Sequence, residues 1–444
     1  MINIVAIYTS WGDEMKMPGL ITADAAILGG GLTGLLLASS LCSEGLRVVV
    51  LECHPDPCEY GAATLMTPAA FSRMIAIHGA DAAHQYVSAL QSQLHALTAV
   101  PLSYVQELPA CLYARLEAAQ PALLRQYEQL ASLHLAMQMA SDTGSCPFPV
   151  AQSLLMQGQA VVNLSRWQQA LRREIRRHGG KLFPVSRRLT LEGRSIHTPH
   201  FSVDAPHIIL TTDIPLGLQD KHLLALLESR LIAHCELTSP HPLHSAQFPV
   251  LPDEITLLPT PAGTMALWDA GPVGSRTQQS SLIKYIHRLN ALLPDYKRGE
   301  IHFHTAVSTL DGLPIIGRLP ASGLLCASGF GTHEVLGAMH AADVLSRRIL
   351  GKASPADALY APDRPLPASI RRKAYRRIAG LYAASALRWY APACAHCRCR
   401  MRYSTALQRW ECPLCGTCYS ILGQPILGPG IRAARVSLRQ RPDG

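Results

Sequence analysis

The chain has 444 residues, of which 16% are charged and 48% hydrophobic, a composition typical of a globular protein with two or three domains. Every apolar stretch is shorter than the roughly 20 residues that a helix needs to cross a membrane, so no transmembrane helix is predicted. The net charge of +9 is uneven, because residues 364–444 carry +13 and the rest −4. This basic tail predicts an anionic partner, such as a redox or docking protein or membrane headgroups.

Residues 1–23 are interpreted as a loose leader rather than a signal peptide. Asp13, Glu14 and Lys16 interrupt the apolar run, and no small-residue cleavage site follows. We therefore expect a cytoplasmic protein with reduced cysteines. A peripheral contact with a membrane surface through the basic tail stays open.

A glycine-rich turn follows the first buried segment. Residues 24–28 are apolar and strand-like, a G-x-G-x-x-G turn follows them, and residues 35–41 have helical composition. The first glycine permits the tight turn, the second lets the backbone approach a pyrophosphate, and the third lets helix and strand pack closely. The phosphates then meet the helix N-terminus. The turn is therefore predicted to bind a dinucleotide through Gly29, Gly31, Leu32, Thr33 and Gly34.

The next strand ends on an acidic residue. Residues 47–52 read R-V-V-V-L-E, with four apolar residues before Glu52, which lies 18 residues after Gly34. At the C-terminal end of a second parallel strand, this carboxylate can accept hydrogen bonds from a ribose hydroxyl. An acid at this position also disfavours a 2′-phosphate, so NADP is not expected.

A second pair of turns lies some 280 residues further along. Asp311, Gly312, Pro314 and Gly317 form a D-G-x-P-x-I-G turn, and a strand and another glycine turn then precede the helical residues 334–350. With the first turn, this arrangement resembles the D-amino-acid oxidase and glycine oxidase family of FAD enzymes. The resemblance implies that the dinucleotide is FAD and that the last helix points its N-terminus at the flavin. The residues that it assigns to flavin contacts are Gly329, Gly331, Thr332 and His333.

The middle of the chain resembles the same family. Thr64 falls in the small-residue loop that the family has under the flavin, and Val185 falls on the strand that contacts the adenosine end. The implied fold class is α/β, with a Rossmann-type FAD-binding domain interleaved with an α+β substrate domain within residues 24–364. The FAD-binding parts are expected at about residues 24–75, 150–215 and 305–352, and the substrate parts at about 76–149 and 216–304. Residues 86–138 are predicted to be helical from the spacing of their apolar positions.

The resemblance also implies a reaction. Such an enzyme oxidises a C–N bond of an amine or amino acid by hydride transfer to the flavin, and the electrons pass to oxygen or a redox partner. Members of the family have an arginine near the strand before the D-G-x-P turn, but residues 301–307 contain none. This departure weakens the prediction of an amino-acid substrate, and Arg318 is only a speculative substitute. His333 is the candidate catalytic residue.

The C-terminal part resembles the subfamily that carries a Rieske-type iron–sulfur domain. A basic linker helix is predicted at residues 365–390 and a small metal-binding module at residues 391–436. Six of the 13 cysteines lie between Cys394 and Cys418. A Rieske site needs C-x-H followed by C-x-x-H, and here Cys415 occupies the position of the second histidine.

Three interpretations of this module stay open. Four thiolates in two C-x-x-C pairs suit Zn²⁺ or a single iron ion. Alternatively, His396 takes the place of Cys397 around an altered [2Fe–2S] cluster, or the cysteines bind no metal. The candidate thiolate ligands are Cys394, Cys397, Cys412 and Cys415.

Two other functions remain as alternatives to an amine oxidoreductase. One is a flavoprotein whose tail is a zinc-stabilised docking module. The other is a tRNA-modifying flavin oxidase, since some of these share the flavin fold and a basic extension. The chain contains no specific nucleic-acid motif.

Overall fold

The structure is a computed structural model that describes residues 19–52, 59–140, 146–185, 189–215, 221–238, 242–275, 277–387, 390–405, 407–428 and 433–436. Residues 1–18 of the predicted leader lie outside these ranges. The helices of the described residues are α1 (Leu32–Ser43), α2 (Pro68–His78), α3 (Ala80–Thr98), α4 (Gln120–Ser132), α5 (Leu164–Arg177), α6 (Lys221–Leu226), α7 (Gln278–Leu292), α8 (Glu334–Ile349) and α9 (Ala368–Ala386). None of these described helices is both long and apolar enough to span a membrane.

The strands of the described residues form four sheets. In chain order they are β1 (Leu20–Thr22), β2 (Ala25–Leu28), β3 (Val48–Glu52), β4 (Tyr60–Ala63), β5 (Val105–Ala114), β6 (Gln138–Ala140), β7 (Gln152–Asn163), β8 (Lys181–Pro184), β9 (Thr190–Glu192), β10 (Ser195–His197), β11 (Ser202–Asp204), β12 (His207–Leu210), β13 (Leu227–Thr238), β14 (Ala246–Pro249), β15 (Thr256–Thr260), β16 (Gly263–Pro272), β17 (Lys297–Arg298), β18 (His302–Thr309), β19 (Ile315–Arg318), β20 (Leu325–Ser328), β21 (Arg402–Ser404), β22 (Arg409–Glu411), β23 (Cys418–Tyr419) and β24 (Pro425–Leu427).

The central sheet has six strands in the order β19-β20-β12-β2-β3-β8. Neighbouring strands are parallel except for β19 and β20. All four residues of β2 are buried, as expected for a parallel strand that is covered on both faces. Ala25 and Ile27 pack in one hydrophobic cluster with α1, α5 and α8, whereas Ala26 and Leu28 belong to a second cluster on the other face. The predicted Rossmann-type α/β arrangement is confirmed.

The last part of the predicted loose leader is instead a strand. β1 pairs in parallel with β11, in a small sheet of order β1-β11-β10-β9. Ile21 is buried in the same hydrophobic cluster as Ala26 and Leu28. Backbone pairing and the burial of this side chain therefore fix residues 20–22 against the second face of the central sheet.

The largest sheet has ten strands. Eight follow the order β17-β13-β16-β15-β14-β5-β7-β4, while β18 also pairs with β13 and β6 with β7. The prediction of helices throughout residues 86–138 is wrong at β5, because this strand pairs with β7 on one side and β14 on the other. Pairing on both edges outweighs the local helical spacing of its apolar residues. β4 and β7 also belong to this sheet, although they lie in two segments that were predicted to bind FAD, residues 24–75 and 150–215. These two segments therefore contribute strands to both large sheets.

The C-terminal residues form a helix followed by a small sheet. α9 lies within the predicted basic linker helix, and β21-β22-β23-β24 form an antiparallel sheet within the predicted module. Cys394, Met401 and Trp410 belong to the same hydrophobic cluster as Ala26 and Leu28 of β2. The module therefore shares a core with the second face of the central sheet.

Candidate active site and cysteine cluster

The glycine turn between β2 and α1 has little room for side chains. Gly29 has a φ of +127°, a conformation that favours glycine. A Cβ atom on Gly34 would overlap the carbonyl oxygen of Gly29 and lie 2.7 Å from the Thr211 hydroxyl. A Cβ atom on Gly31, in contrast, would meet no described atom within 4 Å. The turn is thus tightly packed behind and open in front, which is the form of a cradle for a pyrophosphate.

A cleft of about 640 Å³, including its open mouth, lies in front of this turn. Its walls come from the start of α1 and from the turn before α8, and five of the predicted contact residues line it: Gly31, Leu32, Thr33, Gly329 and Gly331. In the described structure, no side chain caps the N-terminus of either helix. The first N–H groups of a helix lack partners within it, and they favour a phosphate or a carbonyl oxygen nearby. The chemistry of this lining therefore suits a dinucleotide that carries such groups.

Glu52 lies at the end of β3, directly beside the glycine turn. Its Oε1 accepts a hydrogen bond of 2.9 Å from Nε of Arg172 on α5, and Nη2 of Arg172 donates to the Gly30 carbonyl at 3.2 Å. The backbone N–H of Val185 donates to the Glu52 carbonyl at 2.9 Å. Arg172 was not predicted from the sequence, since nothing in its local pattern indicates which carboxylate it would reach.

The other predicted contact residues do not line the cleft, namely Gly29, Gly34, Glu52, Thr64, Val185, Thr332 and His333. Thr64 is buried and donates to Oε1 of Gln159 at 3.1 Å, and this amide oxygen also accepts the Leu65 N–H at 2.8 Å. Gln159 of β7 therefore fixes the loop after β4. Thr332 is exposed in the turn before α8. For Thr64 and Thr332 a flavin contact stays a prediction.

His333 is packed inside the protein rather than against the cleft. Its ring stacks on Phe71 at 4.9 Å between centroids and meets the edge of Tyr86 at 5.7 Å. Nε2 forms a hydrogen bond with the Thr67 hydroxyl. Burial lowers the pKa of His333 to about 3, so the ring is neutral at physiological pH. Because His333 forms the N-cap of α8 and its ring enters the core between α2 and α3, the structure does not support the predicted catalytic role.

Two residues of the cleft follow β12 and were missed. Thr211 and Asp213 line it, and the Thr211 hydroxyl donates to the Gly29 carbonyl at 3.1 Å. The hydroxyl of Ser328 donates to the carbonyl of Asp213. The sequence carries a usable signal here, because residues 207–212 read H-I-I-L-T-T, as a buried strand does, and the C-terminal ends of parallel strands lie at one edge of the sheet, where ligands bind.

Four cysteine sulfurs of the C-terminal module converge on one point. The sulfurs of Cys394, Cys397, Cys412 and Cys415 all lie within 4.8 Å of one another, and three of the separations are 3.3, 3.6 and 3.7 Å. A tetrahedral ion with metal–sulfur bonds of about 2.3 Å would separate its sulfurs by about 3.8 Å. The arrangement therefore fits a single metal ion bound by four thiolates.

The same geometry argues against the Rieske-like ligand set. In the described residues, the converging group contains Cys397 and not His396. A two-iron cluster divides its protein ligands into two pairs, one on each iron, whereas these four sulfurs surround one centre. Burial raises the pKa of Cys412 and Cys415 well above the ordinary value for a thiol, and a bound cation would favour the thiolate form of all four cysteines.

The comparisons with known proteins agree with the fold. Residues 24–348 match a family model described as FAD dependent oxidoreductase. Glycine oxidase from Geobacillus kaustophilus has a similar structure, with a TM-score of 0.62 and 18% identity over 78% of this chain and 100% of that one. Iminodiacetate oxidase from Chelativorans sp. gives a TM-score of 0.57 and 17% identity over 76% and 98%.

L-amino acid deaminase from Proteus myxofaciens gives a TM-score of 0.58 and 14% identity over 79% of this chain and 95% of that one. No match was found among curated protein sequences. At these identities the structural neighbours establish the fold alone. The family model, in contrast, covers most of the chain, and the matched residues include the two glycine turns that line the cleft. The chain belongs to the DAO family of FAD-dependent oxidoreductases and is an enzyme whose cofactor is FAD.

Proposed function

We propose that this enzyme oxidises a C–N bond of an amine or amino acid. The observation that carries the proposal is the single cleft shared by the Gly31 turn and the turn at Gly329 and Gly331, within a chain of this family. The names of the structural neighbours also support it, because they describe enzymes that act on glycine, iminodiacetate and L-amino acids. When bound, FAD would accept the hydride that leaves the substrate carbon next to the nitrogen.

The chain would contribute binding and electrostatics. Gly31, Leu32 and Thr33 would hold the pyrophosphate at the start of α1, and Glu52 would accept hydrogen bonds from the ribose hydroxyls. Gly331 and Glu334 line the cleft at the start of α8. The positive end of this helix dipole favours a flavin carbonyl oxygen and the negative charge that reduction places on it.

The charges around the cleft favour a substrate that carries an amine and no carboxylate. Asp213 and Glu334 line the cleft, and among the described residues no arginine or lysine lines it. Arg318 is exposed and donates to the Gly323 carbonyl at 2.6 Å, so it does not serve as the speculative carboxylate partner. A substrate carboxylate would find no cationic side chain in this lining, whereas a cationic ammonium group would find two carboxylates. We therefore expect amines to be better substrates than the amino acids derived from them.

Anaerobic bleaching of the flavin tests the proposal. Purified full-length protein would be mixed with matched pairs of compounds that share one C–N bond and differ only in a carboxylate, such as methylamine and glycine or dimethylamine and sarcosine. At least one compound should bleach the flavin absorbance, and the amine of its pair should do so faster. If dithionite bleaches the flavin but no amine or amino acid does, C–N oxidation is wrong.

The electron acceptor is tested on the same protein after bleaching. Admitting oxygen should restore the flavin absorbance if oxygen is the acceptor. Restoration only by a soluble one-electron acceptor would indicate a redox partner instead. A chain with alanine at Gly31 is the control, because it should retain little FAD and show neither bleaching nor recovery.

A further inference from the structure

Cys412 and Cys415 lie in a tight turn, residues 412–416, which we call the knuckle. The knuckle packs directly against the body of the enzyme. Gly416 has a φ of +68°, and a Cβ atom there would lie 2.6 Å from Oγ of Ser229 and 3.2 Å from Cδ1 of Ile214. Pro413 lies against Gly274, where a Cβ atom would be 3.1 Å from the proline Cα. The two glycines therefore permit a backbone approach that a larger residue would prevent.

Polar contacts fix the orientation of the module. Glu411 is fully buried, and its Oε2 accepts the Gly274 N–H at 2.7 Å and Nε2 of Gln278 at 3.1 Å. Its Oε1 pairs with Arg409 at 2.8 Å. Arg402 also donates to the Gly274 carbonyl at 2.8 Å. A buried, fully hydrogen-bonded carboxylate tolerates little displacement, since a shift would leave its charge uncompensated.

The two residues behind the knuckle also support the flavin cleft. Ile214 follows Asp213, which lines the cleft. Ser229 of β13 is the register partner of Val307 on β18, and Val307 lines the cleft too. A single residue, Ile214 or Ser229, therefore separates the knuckle from each of two residues that line the cleft.

The module's own strands contribute little to its shape. Its strands contain only two or three residues each, and a segment of this size is marginal without a metal or another crosslink. Within the knuckle, the backbone bonds are those from the Cys412 N–H to the Thr417 carbonyl at 2.8 Å and from the Gly416 N–H to the Cys412 carbonyl at 3.0 Å. A bound ion would join these loops through four bonds.

We propose that Cys394, Cys397, Cys412 and Cys415 bind one Zn²⁺ and that this ion shapes the flavin cleft by holding the knuckle against Ile214 and Ser229. Zinc is favoured because structural Zn²⁺ sites are almost always tetrahedral and commonly consist of four thiolates, as in this cluster. Binding releases the thiol protons to solvent and changes no oxidation state. The proposal rests on the proposed flavin enzyme only in that the cleft holds FAD, and substrate turnover is not needed to test it.

Metal analysis of the full-length protein tests the site. We expect one zinc per chain, with X-ray absorption showing four sulfur neighbours at about 2.3 Å. Stoichiometric iron, two irons with inorganic sulfide, or no bound metal would overturn the proposal. Cys415→Ser should lose the zinc. Cys418→Ser is the matched control and should keep it, because its buried sulfur is outside the converging group.

Chelation of the folded protein tests the link to the cleft. Removing zinc should raise the Kd for FAD on the order of tenfold, within the usual range for coupling between two sites. Amide hydrogen exchange in residues 211–215 should also accelerate, and added Zn²⁺ should restore both values. Unchanged FAD affinity and exchange in zinc-free protein would overturn the coupling.

Gly416→Ala provides a test that leaves every ligand in place. The added methyl group should push the knuckle away from Ser229, so this variant should keep its zinc but bind FAD more weakly. Wild-type FAD affinity in the zinc-loaded variant would contradict the proposed contact. None of these measurements uses a substrate. The zinc proposal can therefore be overturned while C–N oxidation stands, and C–N oxidation can be overturned while the zinc proposal stands.

Discussion

Asp311 and Arg364, which are 53 residues apart, form a buried ion pair through two hydrogen bonds. Nε of Arg364 donates to Oδ2 at 2.8 Å and Nη2 to Oδ1 at 2.9 Å, and the two side chains are 0% and 4% exposed. Burial alone would raise the pKa of Asp311, but the hydrogen bond from His78 and the Arg364 charge hold this pKa below its ordinary value. Arg364 also donates to the carbonyls of Leu313 and Pro314. The pair therefore fastens the turn between β18 and β19.

Arg364→Ala should destabilise the protein by about 3 to 5 kcal/mol, because it leaves the buried Asp311 carboxylate without its cationic partner and with only the His78 hydrogen bond. Arg47→Ala is the control. Arg47 also pairs with an aspartate, at 2.7 Å, but its side chain is 66% exposed, so solvent screens this pair and its loss should destabilise the protein far less than the loss of Arg364. Urea unfolding followed by circular dichroism measures both values. Equal losses of unfolding free energy in the two variants would show that the buried pair contributes no more to stability than the exposed pair.

This pair shows where the sequence stops being informative. The D-G-x-P turn that contains Asp311 was recognised as a local motif, and residue 364 was placed at the end of the predicted enzyme body. Their pairing was not recognised, since it depends on the packing of two distant segments. The glycine turn at Gly31 and the four clustered cysteines were predictable because spacing along the chain almost determines their geometry. The wall of the cleft at Asp213 was missed for the opposite reason, as β12 brings it there from far along the chain.

Gly31 and Gly34 should respond differently to alanine. Gly34→Ala should destabilise the protein and abolish FAD binding, because its methyl group would overlap the Gly29 carbonyl. Gly31→Ala meets no described protein atom within 4 Å, so the apoprotein should keep the wild-type Tm while the methyl group obstructs the pyrophosphate. Flavin content and the Tm of the apoprotein measure the two effects.

Gly380→Ala is the control for these two variants. Gly380 lies within α9, and a Cβ atom there also meets no described atom within 4 Å. This substitution should leave FAD binding unchanged and raise stability by up to about 1 kcal/mol through helix propensity. Normal flavin content in Gly31→Ala would contradict the assignment of this turn to the pyrophosphate.

Glu52 and Arg172 should contribute unequally to FAD affinity. Glu52→Gln removes the charge of the predicted ribose acceptor, so the Kd for FAD should rise about 10- to 100-fold, the equivalent of a charge-assisted hydrogen bond. Arg172→Gln removes only the group that positions Glu52 and Gly30, and its effect should be smaller. Titration of apoprotein by quenching of FAD fluorescence measures both. A larger loss in Arg172→Gln would mean that the arginine, rather than the acid, contacts the cofactor.

Buried histidines should make the protein acid-labile. Burial lowers the pKa of His304 and His333 to about 3 and that of His234 and His340 to about 4. The unfolded chain binds these protons below about pH 6.5, whereas the folded chain excludes them. Stability is therefore complete above about pH 6.5 and falls as the pH decreases towards 4, by about 1.4 kcal/mol per pH unit for each excluded proton.

His340→Gln tests this dependence at one position. Within the described structure, Nε2 of His340 has no hydrogen-bond partner, so glutamine should replace the ring without breaking a bond. The free energy of unfolding, measured in urea from about pH 6.5 to about pH 5, should fall less steeply than in the wild type by about 1.4 kcal/mol per pH unit. His200→Gln removes an exposed histidine and should leave the slope unchanged. If His340→Gln unfolds with the wild-type slope, the ring at this position takes up its proton equally in the folded and unfolded chains, and the acid lability has another origin.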